Sequence, residues 1–158
     1  PGAYKARTVQ PGVGGLYTES EQTVLGQSWD VGVVVLAWDN TLHSTANPND
    51  GHNLVLHEFA HQLDQASGAA DGAPVFRRRN RHSEWRRAMS KTYRNFLEDT
   101  DKGRKTVMDD YGATNPAEFF AVATETFFEK PRQLKKRRPD LYGELCKYYR
   151  TDPLKWPD

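Results

Sequence analysis

Asp50-Gly51-His52-Asn53-Leu54-Val55-Leu56-His57-Glu58-Phe59-Ala60-His61-Gln62-Leu63-Asp64 is the stretch whose reading decides the fold. Its centre is an H-E-x-x-H pentad. On a helix, residues four apart share a face, so His57 and His61 point two imidazoles at one place. Glu58 stands one step round the same turn, where a carboxylate reaches a water held there. Two nitrogens to bind a metal and one base to activate water is the donor set of a zinc hydrolase. The flanks agree with a helix. Asn53-Leu54-Val55-Leu56 is apolar enough to bury, Asp50-Gly51 can start a helix, and Gly68 is a suitable stop. These signals predict a helix of about 15 residues across the pentad.

Two histidines do not hold zinc alone; a catalytic zinc takes three protein ligands and keeps one position for water. Of the three other histidines, His43, His52 and His82, His52 lies on the wrong face and His82 sits in a run of arginines that reads as solvated. No third histidine follows in metal-ligand spacing, since Asp64 and Ser67 occupy the positions in question. The third ligand is therefore sought among carboxylates downstream. Asn115-Pro116-Ala117-Glu118-Phe119-Phe120 reads as a helix start, with Asn115 as N-cap and Pro116 as first helical residue. Phe119, Phe120, Val122, Ala123, Phe127 and Phe128 make that helix largely buried. A glutamate among them needs a partner, and a metal ion would be one. Spacing leaves two readings of Glu118 open, ligand or capping-box carboxylate. Glu125, seven residues on, shares its face and competes as ligand. Asp64 shares the face of His57 and His61. It is read either as the acceptor that fixes a ligand histidine's tautomer or as an exposed acid at a helix end.

Outward from the pentad, Val31–Trp38 is the clearest strand, a β-branched run between Asp30 and Asp39. It can be a core strand or an edge strand able to pair with an extended peptide. Tyr4–Val9 and Leu16–Tyr17 are shorter strand candidates, and Asn40–Asp50 reads as a loop. Residues 76–98 read as a long charged helix, broken at Asp99–Gly103. The Glu118 helix is expected to run to about Glu129, and Pro139 to open a last helix through Tyr149.

With 158 residues the chain is read as one domain, residues 1–158, large enough for a real core. A net charge of +1 gives no global field toward nucleic acid or membrane. The single cysteine, Cys146, excludes an internal disulfide framework, suits a reducing compartment, and reads as a small core residue. No apolar run approaches membrane-spanning length. The basic runs at 77–81 and 135–138 lack interleaved aromatics for base stacking and read as solvated helix faces, so direct nucleic-acid binding is not expected.

The segments Gly26–Trp29, Gly32–Asp39, Asp50–Asp64, Gly68–Pro74 and Tyr111–Val122 together resemble the Mlc titration factor A family. The likeness runs from about Pro1 to the last helix and is most specific around the pentad. The resemblance implies an α+β, zincin-like metallopeptidase catalytic domain, with a small mixed sheet packed on the H-E-x-x-H helix and further helices. It implies a cytoplasmic zinc peptidase of the gluzincin type with aminopeptidase-type activity and one Zn2+ per chain. It also implies His57, His61 and Glu118 as ligands, Glu58 as general base and Tyr111 as catalytic tyrosine. It thereby favours Glu118 over Glu125, and it raises Tyr111 above the half-buried loop tyrosine that its surroundings alone suggest. Peptide or protein substrates, and the glucose repressor Mlc as a protein partner that links the chain to phosphotransferase-system regulation, are implied likewise. Family members carry extra helical sequence before the region matching Pro1, so the chain is expected to lack an N-terminal part.

Two other functions compete. One is a repressor-sequestering binding protein whose zinc is structural or vestigial; a structural zinc would fill its fourth position with a side chain, and the sequence offers no obvious one. The other is a non-peptidase zinc hydrolase acting on an amide or ester.

Overall fold

The computed structural model describes the backbone of residues 4–11, 17–24, 26–28, 34–66, 68–76 and 79–157, and the side chains of residues 34–66, 68–76 and 81–157. Helices dominate. Strands β1 (Tyr4–Pro11) and β2 (Tyr17–Val24) pair antiparallel, with Tyr4 opposite Val24. Strands β3 (Gly26–Ser28) and β4 (Val34–Leu36) form a second antiparallel pair, with Gly26 opposite Leu36. The expected mixed sheet is thus replaced, among the described residues, by two separate antiparallel ribbons.

The strand read at Val31–Trp38 is shorter than its β-branched run. Its first residues lie outside the described ones, and its end is overtaken by α1 (Trp38–Thr45). That helix corrects the loop expected from Asn40. Asp39 in its first turn suits the positive end of the helix dipole. The Thr41 and Thr45 hydroxyls bond back to the carbonyls four residues earlier, at 3.0 and 2.8 Å. No residue of α1 is buried, so it carries no apolar period to read.

The pentad helix, α2 (Leu54–Gln65), is shorter than expected. Its cap is Asn53, whose side chain accepts from the Leu56 N–H, rather than Asp50-Gly51. Gly68 sits just past its end in the left-handed region and donates to the Gln65 carbonyl. Helix α3 (Arg79–Asp101) runs to the break read at Asp99–Gly103. Helix α4 (Pro116–Glu129) and helix α6 (Pro139–Tyr149) have the expected bounds. Between them stands α5 (Pro131–Arg137), which the sequence reading did not separate. Pro131 and Pro139 each open a helix because a first-turn residue needs no N–H donor.

Helix α4 is buried nearly all round, as a helix at the centre of a domain must be. Phe119, Phe120 and Phe127 pack there with Trp85 and Phe96 of α3, Leu134 of α5, and Leu141 and Leu145 of α6. Cys146, half-buried beside this cluster, is the small packing residue expected. One member of each basic run fastens two helices together. Arg81 pairs with Glu144 of α6 at 3.1 Å, and Arg138 with Asp99 of α3 at 2.5 Å. His82 packs edge-on against Phe76 instead of standing free in water. Arg77 and Arg78 lie outside the described residues. No helix among the described residues is long and apolar enough to cross a membrane.

One loop position ties three helices together. The Gly72 N–H donates to Asp64 of α2 at 2.8 Å, and its carbonyl accepts from the Trp85 indole of α3 at 3.0 Å. A Cβ there would stand 2.5 Å from the Pro116 carbonyl oxygen at the start of α4, and the φ of +74° is in the left-handed region. Only glycine satisfies both conditions. Gly72→Ala should therefore destabilise the fold by about 2–4 kcal/mol, combining left-handed strain with a backbone clash. Gly68→Ala, with open space at its Cβ, should cost only about 1–2 kcal/mol. Chemical denaturation of the two variants checks the difference; equal losses would contradict this packing.

Candidate metal centre

Helices α2 and α4 run antiparallel. As α4 advances from Glu118 to Glu129, its partners retreat from His61 to Gly51. At one end of this contact three donor atoms converge. His57 Nε2 lies 3.0 Å from Glu118 Oε2, His61 Nε2 lies 3.4 Å from the same oxygen, and the two Nε2 atoms are 3.2 Å apart. A tetrahedral ion with ligand bonds of about 2.0–2.1 Å holds neighbouring donors roughly 3.3 Å apart. The three separations fit that requirement without rearrangement.

Glu118 answers the question its spacing left open. Its backbone N–H is the one capped, by Asn115 Oδ1 at 3.0 Å, while its carboxylate faces the histidines. Glu125, the competing ligand by spacing, occupies a different place. Its Oε1 lies 2.7 Å from His57 Nδ1 and its Oε2 accepts from the Asn53 N–H at 2.6 Å. A carboxylate only accepts, so His57 Nδ1–H donates to Glu125, and loss of the proton on Nε2 would free that nitrogen's lone pair toward Glu118 and His61 for a metal. Lone pairs meeting at such distances repel unless a cation lies among them.

The electrostatics carry the same message. Burial works against a charged His57, but hydrogen bonds to Glu118 and Glu125 overcome it and raise its pKa to about 10. Burial likewise opposes ionisation of Glu118, and the bonds from His57 and His61 outweigh it, bringing Glu118 to about 2. Without a metal, a proton supplies the positive charge that the two flanking carboxylates demand. The donor chemistry fits a borderline divalent ion such as zinc.

Glu58 is buried, and that burial raises its pKa, partly offset by His57 and His61. Among the described residues no protein group hydrogen-bonds its carboxylate. Tyr111 stands on a short 3-10 turn, Asp110–Ala113, whose cap is Asp109 accepting from the Tyr111 N–H at 2.7 Å. Its ring centroid is 6.0 Å from that of His57. Burial, then the nearby charges of Glu118 and Glu58, raise its hydroxyl pKa. The ring is half open to solvent, so its hydroxyl sits where a ligand can reach it. Asp64 does not bond a ligand histidine; its Oδ2 holds the Gly72 loop, and it is fully buried rather than an exposed helix-end acid.

The family model described as glucose-regulated metallo-peptidase M90 matches residues 1–150. The chain belongs to the glucose-regulated metallo-peptidase M90 family. Membership in a metallo-peptidase family implies a metal, and the triad of His57, His61 and Glu118 is where the described residues fit one. An uncharacterized protein of Synechocystis sp. is 42% identical over 155 residues, covering 98% of this chain and 56% of that protein. Proteins named Mlc titration factor A, from Yersinia pestis and Yersinia pseudotuberculosis, are each 37% identical over 143 residues, covering 89% of this chain and 52% of theirs. The chain thus spans about half the length of the curated relatives it matches.

The sequence reading missed the clamp behind the triad. Glu129 accepts from the Gly51 N–H at 3.0 Å and from the Asn53 side chain at 2.9 Å. The signal was present as spacing: Glu118, Glu125 and Glu129 lie seven and four apart on one face of an otherwise apolar helix.

If Glu125 orients His57, Glu125→Gln should keep the fold yet weaken divalent-metal affinity by roughly 10–100-fold. Competition titration against a chromophoric chelator measures this. Unchanged affinity would show that His57 needs no such partner.

Proposed function

We propose that this chain is a zincin-like catalytic domain, spanning residues 1–158 as one unit, of a gluzincin-type zinc peptidase with aminopeptidase-type activity. The observation that carries this reading is the convergence of His57 Nε2, His61 Nε2 and Glu118 Oε2 beside a buried Glu58 with no hydrogen-bonding partner among the described residues. In this proposal one Zn2+ per chain is held by His57, His61 and Glu118.

When bound, the ion supplies Lewis acidity and lowers the pKa of water to about 7. The chain's own residues do the rest. Glu58, kept dry and raised in pKa by burial, takes the proton from the attacking water and delivers it to the leaving amine. Tyr111 donates a hydrogen bond to the carbonyl oxygen as negative charge develops on it. Glu125 holds the His57 ring in the tautomer that leaves Nε2 free. An amide or ester outside peptides would be served by the same groups, and a substrate panel separates those cases.

A regulatory partner belongs to the proposal as well. Relatives are named Mlc titration factor A, and we infer that the repressor Mlc is a protein partner of this chain in the cytoplasm, tying it to control of phosphotransferase genes. The rival reading, a repressor-sequestering protein with a structural or vestigial zinc, requires a fourth side-chain ligand or a lost site. Among the described residues, the only cluster with metal-binding geometry is the triad, which favours the catalytic reading.

Glu58→Gln should retain stoichiometric zinc and lose about 10²–10⁴-fold in kcat on peptide substrates. A variant that turned over at the normal rate would remove Glu58 from the mechanism. Glu118→Ala should lose zinc on dialysis and, with it, the rise in Tm that zinc addition gives the unaltered protein. Retention of one tightly held zinc by that variant would overturn the ligand assignment.

A further inference from the structure

Eight large apolar side chains stand exposed among the described residues, and five of them fall within residues 35–63. They lie on α2 and on two elements packed against it: Phe59 and Leu63 on α2, Trp38 and Leu42 on α1, and Val35 on β4. Each helix sets its pair four residues apart, so the two side chains form one stripe. The helices are tied where Ser44 Oγ accepts from the Leu54 N–H at 3.2 Å. Scattered apolar residues are ordinary on a surface. Trp38, however, is 70% exposed on a helix that buries none of its residues. A tryptophan in water with a leucine one turn on is the kind of anchor that protein interfaces bury.

This surface is distinct from the metal centre. Phe59 and Leu63 each follow a histidine of the triad by two residues, a rotation of about 200° round α2. They therefore face away from α4 and the three donor atoms.

Charge narrows what the surface can meet. Residues 8–76 hold eight acids and no lysine or arginine, while all but two of the chain's 22 Lys and Arg lie at residues 77–158. Asp39, between Trp38 and Leu42 in sequence, is exposed. A second copy would bring the same acidic segment against itself, and an anionic lipid surface would be repelled. A protein with lysines and arginines around an apolar contact is attracted. Proteins that bind DNA carry such cations, and the repressor inferred above as partner is one.

We propose that the α1–α2 surface, anchored by Trp38, Leu42, Phe59 and Leu63, docks the repressor through a cation-rimmed apolar patch of that protein. This rests on the partner reading given above. It adds the place of contact and separates it from the metal centre, so that one chain can hold metal and repressor together.

The test is surface plasmon resonance against purified Mlc of Yersinia pseudotuberculosis, with the Mlc titration factor A of that organism as positive control. Trp38→Ala/Leu42→Ala and Phe59→Ala/Leu63→Ala should each weaken binding at least about thirtyfold, the loss that truncating interface anchors brings. All four positions are exposed, so both variants should keep the Tm of the unaltered chain, and each pair tests the surface independently. Arg132→Glu/Lys136→Glu, at exposed positions on α5, should bind as the unaltered chain does. Raising the salt concentration should slow association severalfold. The proposal is overturned if either folded pair of truncations binds as the unaltered chain does, if Arg132→Glu/Lys136→Glu loses binding, or if association is indifferent to salt. Failure of the unaltered chain to bind, while the positive control does, removes the partner reading itself and the docking surface with it.

Discussion

Everything near the triad depends on how α4 presents carboxylates to the start of α2. Glu118, Glu125 and Glu129 form one row on a helix that is otherwise buried in aromatic and aliphatic contacts. A buried carboxylate is costly unless charge-assisted hydrogen bonds meet it. Here the partners are the groups a helix N-terminus leaves unsatisfied. Backbone N–H groups of Gly51 and Asn53 take the two farther carboxylates, where the positive end of the α2 dipole also favours them. The third carboxylate has only imidazole nitrogens opposite. The row is satisfied by backbone N–H groups at one end and faces two imidazoles at the other, so the same constraint that docks the two helices builds the candidate metal centre.

The remaining core serves to hold that row in register. Trp85, Phe96 and the C-terminal helices lock α4 from the far side, and Gly72 brings the loop after α2 against the first turn of α4. Packing on this scale resists small displacements. Donor separations near 3 Å across two helices survive only because neither helix can slide. Tyr111 is placed by a shorter device, the capped turn at Asp109–Ala113, which leaves its ring half exposed beside His57. That contrast between a rigid triad and an accessible tyrosine suits a site in which one part must be fixed and another must meet a ligand.

Much of this was legible in the residues because strong local signals marked it. The pentad spacing put His57 and His61 on one face, and Asn115-Pro116 marked the start of α4 to the residue. Pro139 did the same for α6. Other features had no such signal. Helix α1 buries none of its residues, so hydrophobic period could not reveal it, and Asn, Thr and Ser in it read as loop. The division of labour between Glu118 and Glu125 was invisible to spacing, because residues seven apart on a helix are equivalent until the partner helix is placed. Asp64 shares the face of the histidines, yet it bonds Gly72, since the loop returns to α2 there. The sheet departed from expectation for a similar reason: strand pairing is a long-range choice, and short β-branched runs do not encode their neighbours.

The central claim is that His57, His61 and Glu118 together hold one zinc ion, and zinc K-edge X-ray absorption on the protein loaded with one equivalent tests it most directly. The account predicts a shell of four or five nitrogen and oxygen donors at about 2.0–2.1 Å, with multiple-scattering features of two imidazoles. A shell containing sulfur, one with fewer or more than two imidazoles, or six oxygens without imidazole would contradict it.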